Sequence, residues 1–338
     1  MSYDIQYSVF NSQESVSPPS SGLRGLSFSP DGLKMYSLFQ SSNRLVQYNL
    51  STAFDVSTAS FFSSFVYSSQ DTNMADIFWG DDGEKLYLIG KSSRSVHEYD
   101  VSTAYTISTA SFNQSLVVSS QDTEPSSLTF RSNGESLYIS GSTNDSLYQY
   151  NLSTAWDIST ATFITSYDIS SKISDPTGIF LHPSGLYIFV VGRTNDKIVR
   201  YNFGSPYLIS ALVYSQQFTF VTPSLNPSGL YFQPDSDYFF SLNYDTNTVF
   251  KYYVPTPVYE ISGYVTVDLT PIAFAKMRCI AQGTATLLAP VFSDADGFYK
   301  FTNLLITEKY HVATERTIDG VPYNAWSFWD IIPVMILI

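Results

Sequence analysis

The chain has 338 residues, 44% of them hydrophobic and 16% aromatic, with a net charge of −13 from 30 acidic and 17 basic residues. This excludes a wholly disordered chain, and the sparse, scattered Lys and Arg disfavour both nucleic-acid binding and attraction to an anionic membrane surface. The lone Cys279 excludes an intramolecular disulfide and a zinc cluster of the usual spacing. No apolar run reaches bilayer length and no secretory signal is visible, so membrane insertion and standard export are not expected.

In chain order, residues 8–15 (SVFNSQES) resemble two later stretches of the same chain, 65–72 (FVYSSQDT) and 116–123 (LVVSSQDT). Two further series keep one register. Tyr48, Tyr99, Tyr150, Tyr201 and Tyr252 are 51 residues apart, and turn sequences beginning at Ser29, Gly80, Arg131, His182 and Gln233 keep the same step. One unit has been copied five times, and a repeat of this length indicates a propeller, solenoid or array.

The third copy shows its anatomy. Residues 127–130, 137–140, 147–150 and 162–167 read as short strands, with Asn133-Gly134 as a hairpin signal between the first two. Four antiparallel strands in about 50 residues make a propeller blade. The fifth copy has three strands, near 230–232, 238–242 and 249–253, and then breaks at Val254-Pro255-Thr256-Pro257. Its fourth strand is expected from 8–15, which would close the ring. Residues 264–270, which also sit in the 51-residue register, are the competing choice.

Beyond 257 the repeat stops. Strands at 261–267, 276–280, 284–287, 299–301 and 310–313 suggest a small Ig-like β-sandwich. The chain therefore reads as all-β: a five-bladed β-propeller over 1–257 and a sandwich over 258–338.

Chemistry is thinly signalled. His97, His182 and His311 fall in different units, and no Gly-x-Ser-x-Gly elbow is present. The innermost strands offer Ser27, Thr129 and a single carboxylate, Asp76, so neither catalysis nor a metal or other cofactor is expected. Asp294-Ala295-Asp296-Gly297 reads as a tight turn and not as a calcium loop. The aligned aromatics Phe54, Tyr105, Trp156 and Tyr207 read as plugs between blades, the alternative being a sugar-stacking platform.

Candidate binding residues sit in the turns between second and third strands: Asn43, Arg94, Asn144, Asp145, Asn195, Asp196, Asp245 and Asn247. Their amides and carboxylates suit sugar hydroxyls, but the same residue types are also good turn formers. At the other end of the chain, Trp326, Trp329, Ile336, Leu337 and Ile338 are candidate docking residues, either as a last strand or as an anchor in a neighbouring subunit.

The segment 293–304 (SDADGFYKFTNL), with Ile261-Ser262-Gly263 before it and the strand at 310–313 after it, resembles transthyretin-like, or carboxypeptidase regulatory-like, sandwiches over 261–333. Residues 319–325 (DGVPYNA) and 330–333 (DIIP) look like the end of such domains in tailed-bacteriophage virion proteins. Those proteins pair the sandwich with propellers carrying Tyr-Asn-Leu-Ser-Thr-Ala repeats, found here at Tyr48 and Tyr150; the aromatic insert from Trp326 to Trp329 departs from the pattern.

The resemblance implies a non-enzymatic virion structural protein of the tail or another appendage, made in the host cytoplasm. It would be present in multiple copies and contact other virion proteins. The C-terminal domain would be the attachment end, and the propeller an exposed head with a host surface glycan as its candidate ligand. A bacterial lectin or adhesion module and a lactonase-like propeller hydrolase are the alternatives.

Overall fold

The structure, a computed structural model, describes residues 5–15, 21–220 and 226–254. Beyond these it describes 258–264, 266–267, 270–271, 276–281, 286–287, 291–296, 298–301, 310–318, 321–331 and 334–336. Contacts divide the chain into two compact units, 3–254 and 255–338.

The first unit is a five-bladed β-propeller. Each blade is a four-stranded antiparallel sheet, and the four blades drawn from one stretch of chain keep their strands in sequence order. In blade three these are Pro125–Phe130, Ser136–Gly141, Ser146–Leu152 and Ala161–Asp168, innermost to outermost. The turn Arg131 to Gly134 joins the first two, and a 3-10 turn, Ile158–Thr160, interrupts the long connection before the last. The fifth blade consists of Pro227–Phe232, Tyr238–Asn243 and Thr248–Tyr253, completed by the N-terminal strand Val9–Ser15. That strand pairs antiparallel with Thr248–Tyr253, Val9 opposite Tyr253 and Ser15 opposite Thr248. The ring is thus closed by its first strand. Residues 264–270 do not close it: Val258–Tyr264 pairs within the C-terminal unit, and Thr266–Val267 pairs with Thr270–Pro271.

The register-keeping tyrosines are blade cores. Tyr48, Tyr99, Tyr150, Tyr201 and Tyr252 are all buried. Four of them meet an outer-strand aromatic edge-on: Tyr252 with Phe10, Tyr99 with Phe112, Tyr150 with Phe163 and Tyr201 with Tyr214, at centroid separations of 6.1, 5.7, 5.7 and 6.4 Å. This is the geometry that ring quadrupoles favour.

The aligned aromatics on the long connections are plugs at the seams between blades. Each has a left-handed backbone, with φ of 56° at Phe54 and Tyr105, 65° at Trp156 and 63° at Tyr207. Each lies flat on the glycine of its own blade's first turn, so closely that a Cβ on Gly134 (φ +74°) would fall 2.5 Å from the Trp156 ring. The preceding blade grips the plug's backbone. Tyr36 donates its hydroxyl to the carbonyl of Tyr105 (2.6 Å) and Tyr138 to that of Tyr207 (2.7 Å), while Tyr87 does the same to Trp156. Gln47, Glu98 and Gln149 accept from the N–H of Ile107, Ile158 and Ile209 in the next blade, at 3.2, 3.2 and 3.1 Å.

In the second unit, Phe298–Phe301, Val258–Tyr264 and Val334–Ile336 form one antiparallel sheet. Lys276–Ala281 pairs with Thr286–Leu287, Val291–Phe292 and Tyr310–Ile318, and the last of these pairs with Val321–Ile331. The long strand 321–331 was not anticipated, because its Pro, Asn and four-residue aromatic insert hide the alternation. Asp294 makes the tight turn expected of it, its Oδ1 accepting from the N–H of both Asp296 and Phe298 at 2.9 Å.

Two outcomes follow from closure and plugging. Removal of residues 1–15 exposes the edge of Thr248–Tyr253, and aggregation or a collapsed melting transition is expected by size-exclusion and thermal unfolding; a stable monomer would refute ring closure. Gly134→Ala adds a methyl group against Trp156 at a positive φ and is expected to cost about 2 kcal/mol or more in urea unfolding.

Candidate functional site

The innermost strands surround the propeller axis, and the 51-residue register arranges their side chains in levels. At the level nearest the first turns lie Phe28, Trp79, Phe130, Leu181 and Phe232; then Ser27, Phe78, Thr129, Phe180 and Tyr231; then Leu26, Ile77, Leu128, Ile179 and Leu230. They line a cavity of 570 Å³ whose mouth is edged by Pro30, Ser132, Pro183 and Pro234, with His182 and Asp235 beside them. Its size suits a small ligand and its walls are aromatic and aliphatic.

The next level is a neck of small residues: Gly25, Asp76, Ser127, Gly178 and Gly229. Here neighbouring blades approach so closely that a Cβ on Gly25 (φ +53°) would lie 2.9 Å from the Cα of Asp76. Asp76 and Ser127 break the glycine pattern and are bonded across blades. The Ile179 N–H donates to Ser127 Oγ at 2.9 Å, and that hydroxyl donates to Asp76 Oδ2. Burial pushes the Asp76 carboxyl up to about 7, although the Ser127 hydroxyl and the N–H groups of Ile77 and Leu128 oppose the shift. The group is 6% exposed.

The turns carrying the candidate binding residues lie at the opposite end of the axis. Asn43, Arg94, Asp145, Asp196 and Asn247 occupy equivalent positions, and all have a positive φ, between 44° and 54°. Asn and Asp tolerate that conformation; Arg94 is the exception. Three of the five reach the next blade: Asp145 Oδ1 accepts from Asp175 N (2.8 Å), Asp196 Oδ1 from Asn226 N (2.8 Å) and Asn247 Oδ1 from Leu23 N (3.1 Å). Asn195 Oδ1 accepts from Ser174 N and Oγ, Asp245 Oδ2 from Asn226 Nδ2, and Asn144 Nδ2 donates to the Gln121 carbonyl and the Tyr148 hydroxyl. These residues ring one pole of the propeller, and much of their hydrogen-bonding capacity joins blades together.

Between these turns the axis ends in a small hole lined by Arg24, Ala75, Lys91, Ser126, Thr177, Arg193 and Ser228. Sequence reasoning passed over the three cations because Lys91 lies 67 residues after Arg24 and Arg193 a further 102 residues on. Their signal was positional: Lys91 and Arg193 both follow the glycine that ends a second strand, Gly90 and Gly192, two repeats apart.

Trp326 and Trp329 fall where Val321–Ile331 shifts register against Tyr310–Ile318, and Ile336 pairs with Val258. Leu337 and Ile338 lie outside the described residues. Among the described residues no group of three His, Cys, Asp or Glu side chains could hold a metal.

No family model and no curated protein matches the chain. Among solved structures it is similar to the β-propeller domain of Cps50 (Swd1) from Myceliophteria thermophila, at 12% identity and TM-score 0.42 over 69% of this chain and 83% of that one. It is also similar to the periplasmic gluconolactonase PpgL of Pseudomonas aeruginosa, at 14% identity and TM-score 0.42 over 64% and 60%. A third likeness is to a functionally unknown protein of Desulfotomaculum acetoxidans, at 11% identity and TM-score 0.41 over 95% and 90%. At such values these likenesses give neither a family nor an activity, and the propeller stands on its own strand pairing.

Asp76 sets a pH dependence. Its carboxyl lies above its ordinary value of 3.8 in the folded chain, so the folded state binds the extra proton. Stability from this group is greatest at low pH and falls as pH rises from about 4 to about 7. Asp76→Asn is expected to remove that slope, as read by urea unfolding between those limits.

Proposed function

We propose that this chain is a non-enzymatic virion component of a tailed bacteriophage, placed in the tail or another external appendage. Residues 1–257 form the exposed head, and residues 258–338, a transthyretin-like sandwich, form the attachment end through Trp326, Trp329 and the apolar terminus. The head recognises a host surface glycan, and several copies sit on the particle among other virion proteins.

The observation that carries a recognition role is the character of the axis. Its large cavity is walled by aromatic and aliphatic side chains, which bind more readily than they transfer protons. The carboxylate in its neck is occupied by Ser127 from the next blade. The virion assignment is supported by the sequence resemblance of 261–333 and by the Tyr-Asn-Leu-Ser-Thr-Ala repeats.

Mass spectrometry and immunogold labelling of purified phage particles from the source, with antibody against residues 258–338, test it. Stoichiometric presence on the particle is expected. Its absence would reject the virion reading and leave a lectin or adhesion module, to be tried on a glycan array.

A further inference from the structure

The hole at the turn-bearing end of the axis is built from three cations on three blades, in a chain whose net charge is −13. Two carry partners. Arg193 makes a close pair with Asp175 (Nε at 2.7 Å and a terminal nitrogen at 2.6 Å), and Lys91 lies 3.2 Å from Ser142 Oγ and 3.6 Å from Glu124. Arg24 faces the ring of Tyr244 at 5.0 Å, and its Nε is buried without a hydrogen-bond partner. The three cations face two carboxylates directly, Asp175 and Glu124, while Asp145, Asp196 and Asp245 in the surrounding turns are held by backbone and side-chain donors. An orphaned guanidinium N–H is costly unless something supplies an acceptor.

The other polar groups of the hole cannot be that acceptor's partners. Thr177 donates its hydroxyl to the Pro227 carbonyl (2.7 Å), Ser228 to the Leu23 carbonyl (2.8 Å) and Ser126 to the Ser140 carbonyl (3.1 Å). Their protons are spent on the backbone, so the donors left for a guest are cationic. Burial lowers the proton affinity of both Arg24 and Lys91; the neighbouring cations add to the shift, while Tyr244 opposes it at Arg24 and Asp175 and Glu124 oppose it at Lys91. An anion in the hole would relieve both effects. The free volume is 10 Å³, room for a single oxygen-sized atom.

We propose that this pole is an oxyanion-binding site, in which one oxygen of a carboxylate or phosphate enters between Arg24, Lys91 and Arg193 while the rest of the ligand stays outside, among the turns. The site stands on the charge cluster itself. In naming an acidic sugar as the source of the oxyanion, the inference rests on the recognition role proposed above.

Calorimetric titration of the full chain at fixed low chloride tests it with three probes: inorganic phosphate, methyl glucuronide and, as the neutral control, methyl glucoside. Saturable one-to-one uptake of an anion, with none of the glucoside, is expected. Arg24→Gln and Lys91→Gln should each weaken it about tenfold or more, while Arg131→Gln, on a first turn at the other end, leaves it unchanged. Uptake of both anions supports the site and the acidic glycan. Uptake of phosphate alone supports the site and removes the uronic acid as its source, leaving particle analysis to decide the virion role. No saturable uptake of either anion, equal uptake of the glucoside, or unchanged affinity in both pole variants would overturn the proposal.

Discussion

Everything in the propeller depends on five seams adding to one full turn. An error at any seam would be carried around the ring to the closing strand, so each is pinned by hydrogen bonds as well as by packing. At the first three seams a buried tyrosine hydroxyl holds the carbonyl of the next blade's plug. At the last two the equivalent positions are Phe189 and Phe240, and the turn residues Asp196 and Asn247 hold the neighbouring backbone from the opposite pole. The third seam has both devices. The change of device has a physical reason at the fourth seam: the chain leaves the fifth blade at Val254, so that blade has no long connection and no plug carbonyl for a tyrosine to hold. At the fifth seam the plug Phe54 is present but stacks directly on Tyr231 and reaches Phe240 through Phe28, ring against ring.

The same substitution runs through the buried acceptors. Gln47, Glu98 and Gln149 become Arg200 and Lys251 at the last two seams. With no connection following the fifth blade, Arg200 has no 3-10 turn N–H to receive, and it stacks on Tyr187 at 4.6 Å. Lys251 lies over the rings of Tyr238 and Phe240 at 4.4 and 5.3 Å. A cation on an aromatic face replaces a hydrogen bond where the bond has lost its donor or changed its geometry.

These relations explain what could be read from residues alone. The spacing of Tyr48 and its successors, the turn series and the likeness of 8–15 to 65–72 are properties of one copied unit. They gave blade number, strand order and the closing strand without any three-dimensional information. Asn and Asp at the turn between second and third strands were legible as turn formers, because a positive φ is a local demand. Their reach into the next blade was not, since Asp145 and Asp175 are separated by a whole outer strand and a loop. The plug aromatics were legible as repeats, yet the grip on their carbonyls by a tyrosine 69 residues earlier was hidden, because backbone acceptors leave no mark in the sequence. The C-terminal unit has no internal repeat to average over, and the strand 321–331 is masked by residues with weak alternation.

In a copied architecture, the positions that break the copy carry the information. The neck would close with glycine at every level position, and Gly25, Gly178 and Gly229 satisfy it; Asp76 and Ser127 do not. Both polar side chains face blade backbone in a space that a proton, a hydroxyl and an N–H fill, so the departure is satisfied internally and its consequence is a pH-dependent stability. At the far pole, Arg24, Lys91 and Arg193 depart from Ala, Ser, Thr, Gln and Tyr at the matching positions. That departure is only partly satisfied internally, since one guanidinium nitrogen is buried without a partner. Two breaks in the same register, one closed and one open, therefore have different meanings. The closed one is explained by the ring itself. The open one is where the proposed oxyanion would supply the missing acceptor.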